Sequence, residues 1–141
     1  MAGSKPRIAI LAAEFAQTII DVMIDEASRE AVSGGAEVVK VVRVPGAYEL
    51  PLLADSLLAN ADIDVLIALG FIERGETQHG EVMGHVVHAA LVQLQLQYKK
   101  PVGIGIIGPG ATQEQAEKRK VDYARSAVRA ALKSWTALRE R

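Results

Sequence analysis

A histidine closes the run Gly75-Glu76-Thr77-Gln78-His79, and Val82, Val86, Ala90, Leu91, Leu94 and Tyr98 follow it at helical spacing. A glycine and polar residues ahead of a helix leave backbone N–H groups without partners. Such a helix start is a natural seat for an anion. His79 is the side chain there best suited to move protons near neutral pH. A phosphate seat beside a proton carrier suggests an enzyme. A competing constellation follows on the same helix. Glu81, His85 and His88 recur at i, i+4 and i+7, so one helix face could hold a metal. The plainer reading makes them polar contacts at a subunit interface or channel, and it leads to the expectation of no metal. Arg119 stands in the basic run Lys118-Arg119-Lys120. Lys118 and Lys120 read as a solvated face. Arg119 could supply a phosphate with a planar fork of donors.

These residues need elements to position them. Arg7–Ala13 is a short apolar run, read as a strand buried on both faces. An amphipathic helix follows from about Gln17 to Val32, stopped by Ser33-Gly34-Gly35. Glu37–Val44 is β-branched and reads as a second strand, broken by Pro45-Gly46. A helix from about Tyr48 to Asn60 tolerates Pro51 only in its first turn. Val65–Phe71 is the third strand. The third helix contains Val92–Gln97, which alternates with period two and locally resembles a strand; the longer helical stripe overrides it. Lys99-Lys100-Pro101 ends that helix. Val102–Ile107 is a fourth strand, in which Gly103 and Gly105 let something approach the backbone closely. Gly108-Pro109-Gly110 reads as a loop. Thr112 and Gln115 have the capping-box spacing ahead of a last helix running to about Arg139.

The pattern βαβαβαβα implies right-handed crossovers and a four-stranded parallel sheet covered on both faces, a three-layer α/β/α, flavodoxin-like fold. Ligands in such folds sit outside the carboxyl ends of the strands. The loops there are Glu14–Ala16, Pro45–Glu49, Ile72–Gln78 and Gly108–Ala111. Phe15, Glu49, Gly75 and His79 fall in or beside them. Phe15 could equally be core or a stacking platform. Glu49 could bind ligand or simply favour a helix dipole.

Composition sets limits. The 141 residues fit a single domain, 1–141. With 50% hydrophobic and 23% charged residues the chain reads as an ordinary globular protein. A net charge of −1 argues against nonspecific nucleic-acid binding. The absence of cysteine excludes disulfides, thiolate nucleophiles and Cys-ligated zinc. Met1–Pro6 is too short and polar for a signal peptide. No apolar run approaches the roughly 20 residues that span a bilayer. The expectation is a soluble, cytoplasmic protein that binds no membrane.

Four stretches, in order, carry a resemblance. Glu14-Phe15 follows the first strand, and Val44-Pro45-Gly46-Ala47-Tyr48-Glu49-Leu50-Pro51 follows the second. Gly70-Phe71-Ile72-Glu73-Arg74-Gly75-Glu76-Thr77-Gln78-His79 follows the third, and Gln115-Ala116 with Arg119 opens the last helix. Together they resemble the 6,7-dimethyl-8-ribityllumazine synthase family over nearly the whole chain. That family joins 5-amino-6-(D-ribitylamino)uracil to 3,4-dihydroxy-2-butanone 4-phosphate in riboflavin biosynthesis, without metal or organic cofactor. The resemblance implies a homopentamer with sites between neighbouring subunits, twelve pentamers making a 60-subunit shell in some members. It implies that Phe15 stacks on the pyrimidine and that Ala47, Tyr48 and Glu49 contact the ribityl chain. Phe71, Ile72 and Glu73 would flank the heterocycle. Glu76 and Thr77 would hold the phosphate by backbone N–H. His79 would carry protons. Ile104 and Arg119 would come from the neighbouring subunit.

The chain departs from the family in four places. Ala16 replaces the usual asparagine, and Ile104 replaces a common aromatic. Arg125 stands for a late lysine, after a segment that looks short, as in archaeal-type members. The N-terminal segment that would pair with a neighbour's sheet is only about six residues long. Two rivals are an archaeal-type riboflavin synthase, which resembles the Val-Pro-Gly turn but not the Gly-Glu-Thr-x-His stretch, and a non-catalytic flavin-binding or shell-forming paralogue. A response regulator is disfavoured, because Ala12-Ala13-Glu14 lacks the acidic pair that would hold magnesium.

Overall fold

A computed structural model describes residues 5–140. Most of the short N-terminal segment lies outside the described residues. The elements are β1 (Arg7–Ala13), α1 (Gln17–Ser33), β2 (Glu37–Val44), a 3-10 turn (Ala47–Glu49), α2 (Leu50–Leu58), β3 (Val65–Glu73), α3 (His79–Tyr98), β4 (Val102–Ala111) and α4 (Gln113–Glu140). The strands form one parallel sheet in the order β2-β1-β3-β4.

Strand pleating explains the layers. Successive side chains point to opposite faces. Ile8, Ile10 and Ala12 therefore pack with α1 and α4, while Ala9, Leu11 and Ala13 pack with α2 and α3. Both faces of β1 are covered, which is why its sequence is continuously apolar rather than alternating. β3 divides in the same way, Ile67 and Leu69 on one side and Leu66 and Ala68 on the other. β2 is an edge strand, and its Val39 and Val41 are 43% and 45% exposed. Its β-branched composition specified a strand but not a buried one.

Gly103 and Gly105 admit α4. A Cβ on Gly103 would lie 2.3 Å from the Ala127 carbonyl oxygen, and one on Gly105 would lie 3.2 Å from both Ala127 Cβ and the Tyr123 oxygen. The close approach expected of these glycines is made by the chain's own last helix. Thr112 and Gln115 form the expected capping box. The Thr112 N–H donates to Gln115 Oε1 at 2.9 Å, and the Gln115 N–H donates to Thr112 Oγ1 at 3.1 Å. The period-two stretch Val92–Gln97 is helical, as the longer stripe required.

Two boundaries differ from expectation. β3 runs on to Glu73, and β4 continues through Gly108-Pro109-Gly110 to Ala111. The glycines there mark a bend within a strand instead of a loop. Gly108 and Gly110 have φ of +94° and +89°, and a Cβ on Gly108 would meet the Ile72 oxygen at 2.2 Å. The ladder shifts register between Phe71 and Glu73 and resumes with Glu73 opposite Ala111. The helix expected from Tyr48 begins at Leu50 instead, after the 3-10 turn, with Pro51 in its first turn.

The ends of α1 contrast. Gly35, at φ +85°, supports paired 6→1 and 5→2 bonds, Ala36 N–H to Ala31 O at 2.9 Å and Gly35 N–H to Val32 O at 3.1 Å. At the other end Ala16 is left-handed, φ 60° and ψ 59°, and provides no side-chain cap. A left-handed L-residue costs roughly 1–2 kcal/mol, a strain that glycine escapes and asparagine partly relieves. Ala16→Gly and Ala16→Asn are each expected to stabilise the chain by about 0.5–1 kcal/mol, after the entropy glycine loses on folding. Urea midpoints measure this; a lower midpoint for both variants would contradict it.

Candidate active site

Order β2-β1-β3-β4 sends the connections after β1 and β3 to opposite sides, opening a crevice at their carboxyl ends. A cleft of about 370 Å³ lies there. Phe15, from the β1–α1 connection, stands over one wall, half exposed and with its ring centroid 6.1 Å from that of buried Phe71. It is therefore available as a platform and is not core. Ala47, behind Pro45-Gly46, forms a second wall. Ile72, Glu73 and Thr77 continue round to His79.

Each wall has a local reason for its shape. Glu49 Oε1 accepts the Gly46 N–H at 2.8 Å and closes the turn after β2. That contact sets the direction of Tyr48, whose ring centroid lies 6.1 Å from the His79 imidazole at an interplanar angle of 64°. After β3, Arg74 N–H donates to Ala111 O at 2.7 Å. Among the described residues, no acceptor takes the amides of Gly75, Glu76, Thr77 or Gln78. Thr77 Oγ1 accepts the His79 N–H at 3.3 Å, and the α3 ladder starts with Val82 N–H to Gln78 O at 3.0 Å. The expected seat therefore has unpaired donors at the positive end of a 20-residue helix.

Ile104 and Arg119 do not line this cleft. Ile104 is half-buried in a separate groove of about 560 Å³ between β4 and α4. Arg119 borders another hollow, of about 280 Å³, at the Gly108–Ala111 bend. Arg119 is exposed and makes no ion pair among the described residues. Glu76 is exposed and also stands off the cleft wall, as do Tyr48 and Glu49.

Several polar residues turn out to be engaged elsewhere. Arg125 donates through Nε and Nη2 to Glu26 Oε1 at 3.0 and 2.8 Å, clamping α4 to α1. Gln95 Oε1 accepts the Val102 N–H at 2.8 Å, so it secures the start of β4. His88 Nδ1 lies 2.7 Å from the Gly84 oxygen of its own helix, and His85 Nε2 lies 3.9 Å from Glu81 Oε1. Among the described residues, these and the other His, Asp and Glu side chains form no group of three with metal-like geometry.

Arg7, Asp64 and Tyr98, all away from the cleft, have shifted acidities. Burial alone would raise the Asp64 carboxyl, but hydrogen bonds from the Arg7 side chain and backbone hold it below its usual value. The same hydrogen bond raises Arg7. Tyr98 is raised by its 2.6 Å bond to Asp55, which ties α3 to α2.

Three cleft residues were not singled out from the sequence, Arg74, Gly80 and Met83. Met83 follows His79 by one helical turn, a spacing that could have placed it on the same face. Arg74 borders the cleft with an exposed side chain, and only its place beside Gly75 hinted at this.

The chain is similar to known proteins along nearly its whole length. A family model described as 6,7-dimethyl-8-ribityllumazine synthase matches residues 5–139. A relative of that name from Metallosphaera sedula is 43% identical over 133 residues, covering 94% of this chain and 88% of its own length. One from Staphylothermus marinus is 44% identical over 127 residues, covering 90% and 85%. One from Aeropyrum pernix is 42% identical over 132 residues, covering 93% and 90%. Among the described residues no helix is long and apolar enough to cross a membrane.

Proposed function

The chain belongs to the 6,7-dimethyl-8-ribityllumazine synthase family, the transferases that build this intermediate of riboflavin biosynthesis, and from that membership we propose how its residues carry the reaction. The substrates are 5-amino-6-(D-ribitylamino)uracil and 3,4-dihydroxy-2-butanone 4-phosphate. The pyrimidine stacks on Phe15 between the backbone of Phe71, Ile72 and Glu73 and the turn Ala47, Tyr48 and Glu49, which meets the ribityl chain. The Glu76 and Thr77 amides hold the phosphate, joined by Arg119 of a neighbouring copy. Ile104 of that copy covers the ring. Imine formation, phosphate loss and ring closure each need a proton moved, and His79 stands beside the phosphate seat to move it. Holding two reactants in one cleft is itself catalytic.

The observation that carries this reading is the meeting of Phe15, Phe71, Thr77 and His79 round one cleft beside four unpaired amides. The test is to mix purified protein with the two substrates and follow the lumazine by its absorbance. A rate no faster than the uncatalysed one would overturn the reading.

The functional unit in this reading is a homopentamer of single-domain chains, 1–141, working in the cytoplasm. Support comes from α3. Val82, Val86, Ala89, Gln93 and Leu96 follow 4-3-4-3 spacing on its outer face, and Val82, Val86 and Leu96 are each at least half exposed. Such a seam suits packing against other helices. Gln93 belongs to it, whereas Gln95 is spent within the chain. Twelve such pentamers make a 60-subunit shell in some members of the family, and most of the short N-terminal segment that bears on it lies outside the described residues.

His88 Nδ1 lies 2.7 Å from the Gly84 oxygen of its own helix, which argues against its sharing a metal with Glu81 and His85. Chelator treatment is expected to leave turnover unchanged, and elemental analysis to find no stoichiometric zinc. About one metal per chain, lost together with activity, would reverse this assignment.

A further inference from the structure

The His79 imidazole makes no side-chain hydrogen bond among the described residues, and it is exposed at the mouth of the cleft. One aromatic ring meets it, that of Tyr48. We propose that Tyr48 is a positioning residue, whose ring holds the His79 imidazole in the orientation that moves the proton. The inference rests on the assignment of His79 as proton carrier.

The argument runs from the backbone outward. The Gly46 N–H to Glu49 bond closes the 3-10 turn, and the turn packs against α3. Tyr48 is thereby fixed at its base, although its ring is 43% exposed. A centroid distance of 6.1 Å and an angle of 64° give an edge-to-face pair, the arrangement aromatic rings prefer. An unrestrained histidine side chain samples about three χ1 wells. Holding one of them keeps the proton-bearing nitrogen directed at the phosphate seat, where a displacement of about 1 Å is costly. The Tyr48 hydroxyl has no part in this, because the contact is made by the ring.

Tyr48→Phe and Tyr48→Leu separate this role from others. Loss of the ring releases the competent well to about one third of the population, so Tyr48→Leu should lower kcat about threefold. KM for the pyrimidine should rise in Tyr48→Leu, because Tyr48 also meets the ribityl chain, whereas KM for 3,4-dihydroxy-2-butanone 4-phosphate should stay near the wild-type value. Tyr48→Phe should restore kcat. A raised KM at unchanged kcat would mean that Tyr48 only binds substrate, and would overturn the proposal. So would a Tyr48→Leu enzyme with wild-type kcat, or a Tyr48→Phe enzyme as slow as Tyr48→Leu. A second readout needs no catalysis. The His79 ring-proton resonance, identified by its loss in His79→Asn, should lose its aromatic ring-current shift in Tyr48→Leu and keep it in Tyr48→Phe. An unmoved resonance in Tyr48→Leu would overturn the contact itself. If that resonance moves while His79→Asn retains full turnover, the role of His79 fails and the positioning role fails with it, but the contact stands.

Discussion

His79→Ala is expected to lower turnover by about 10²–10⁴, the usual worth of a positioned acid–base group. The side chain is exposed and contributes nothing to the core, so the fold and the assembly should survive. Thr77 Oγ1 accepts the backbone N–H of residue 79, so the start of α3 does not depend on the imidazole. Sedimentation and circular dichroism should therefore match the unmodified protein. Some rate should remain, because Phe15, the unpaired amides and a neighbour's Arg119 would still hold both reactants. KM should move little beside kcat, since the proton carrier acts on the chemistry and not on either reactant's bulk. Steady-state assays with both substrates give both numbers. Turnover unchanged in the alanine variant would remove His79 from the mechanism.

The second large effect is a recovery of activity. Arg119 lies outside the cleft that holds His79, at the bend of β4, and the proposed site needs both. Arg119→Ala and His79→Ala chains should each be nearly inactive alone. Dissociated, mixed in equal amounts and reassembled, they should regain about a quarter of full activity, because in a ring a quarter of the interfaces join an intact His79 to an intact Arg119. A site confined to one chain recovers nothing, since every chain lacks one group. The size of the recovery also separates a shared site from incomplete mutant inactivation, which would give the average of the two parents. Each contact should bury on the order of 1,000 Å² or more if the ring is stable.

Much of this was legible in the sequence because it is local. Hydrophobic period separated strands from helices, even across Val92–Gln97, since a twenty-residue stripe outweighs a six-residue alternation. The capping box at Thr112 and Gln115 needs only three residues of separation. The loops at the strand ends held Phe15, Glu49 and His79 in order. Continuous apolar runs in β1 and β3 implied a sheet covered on both faces, because strands buried on two sides need no polar alternation.

Only the tertiary structure decided what those residues touch. Gly108-Pro109-Gly110 has the composition of a loop, yet its backbone must follow Ile72 and pair Ala111 with Glu73, and that demand arises from another strand. Arg125 has no partner near it in the sequence, and α1 brings Glu26 to it from 99 positions away. Nothing local to Gln95 shows that its Oε1 is taken by the N–H at the start of β4. The division of the site residues is of the same kind. Phe15, Ala47 and His79 lie on three connections that converge because β1 and β3 are neighbours, while β4 carries Ile104 and Arg119 follows it into other hollows. Periodicity and caps are written within a few residues of chain, whereas convergence and separation depend on strand order, which no single stretch contains.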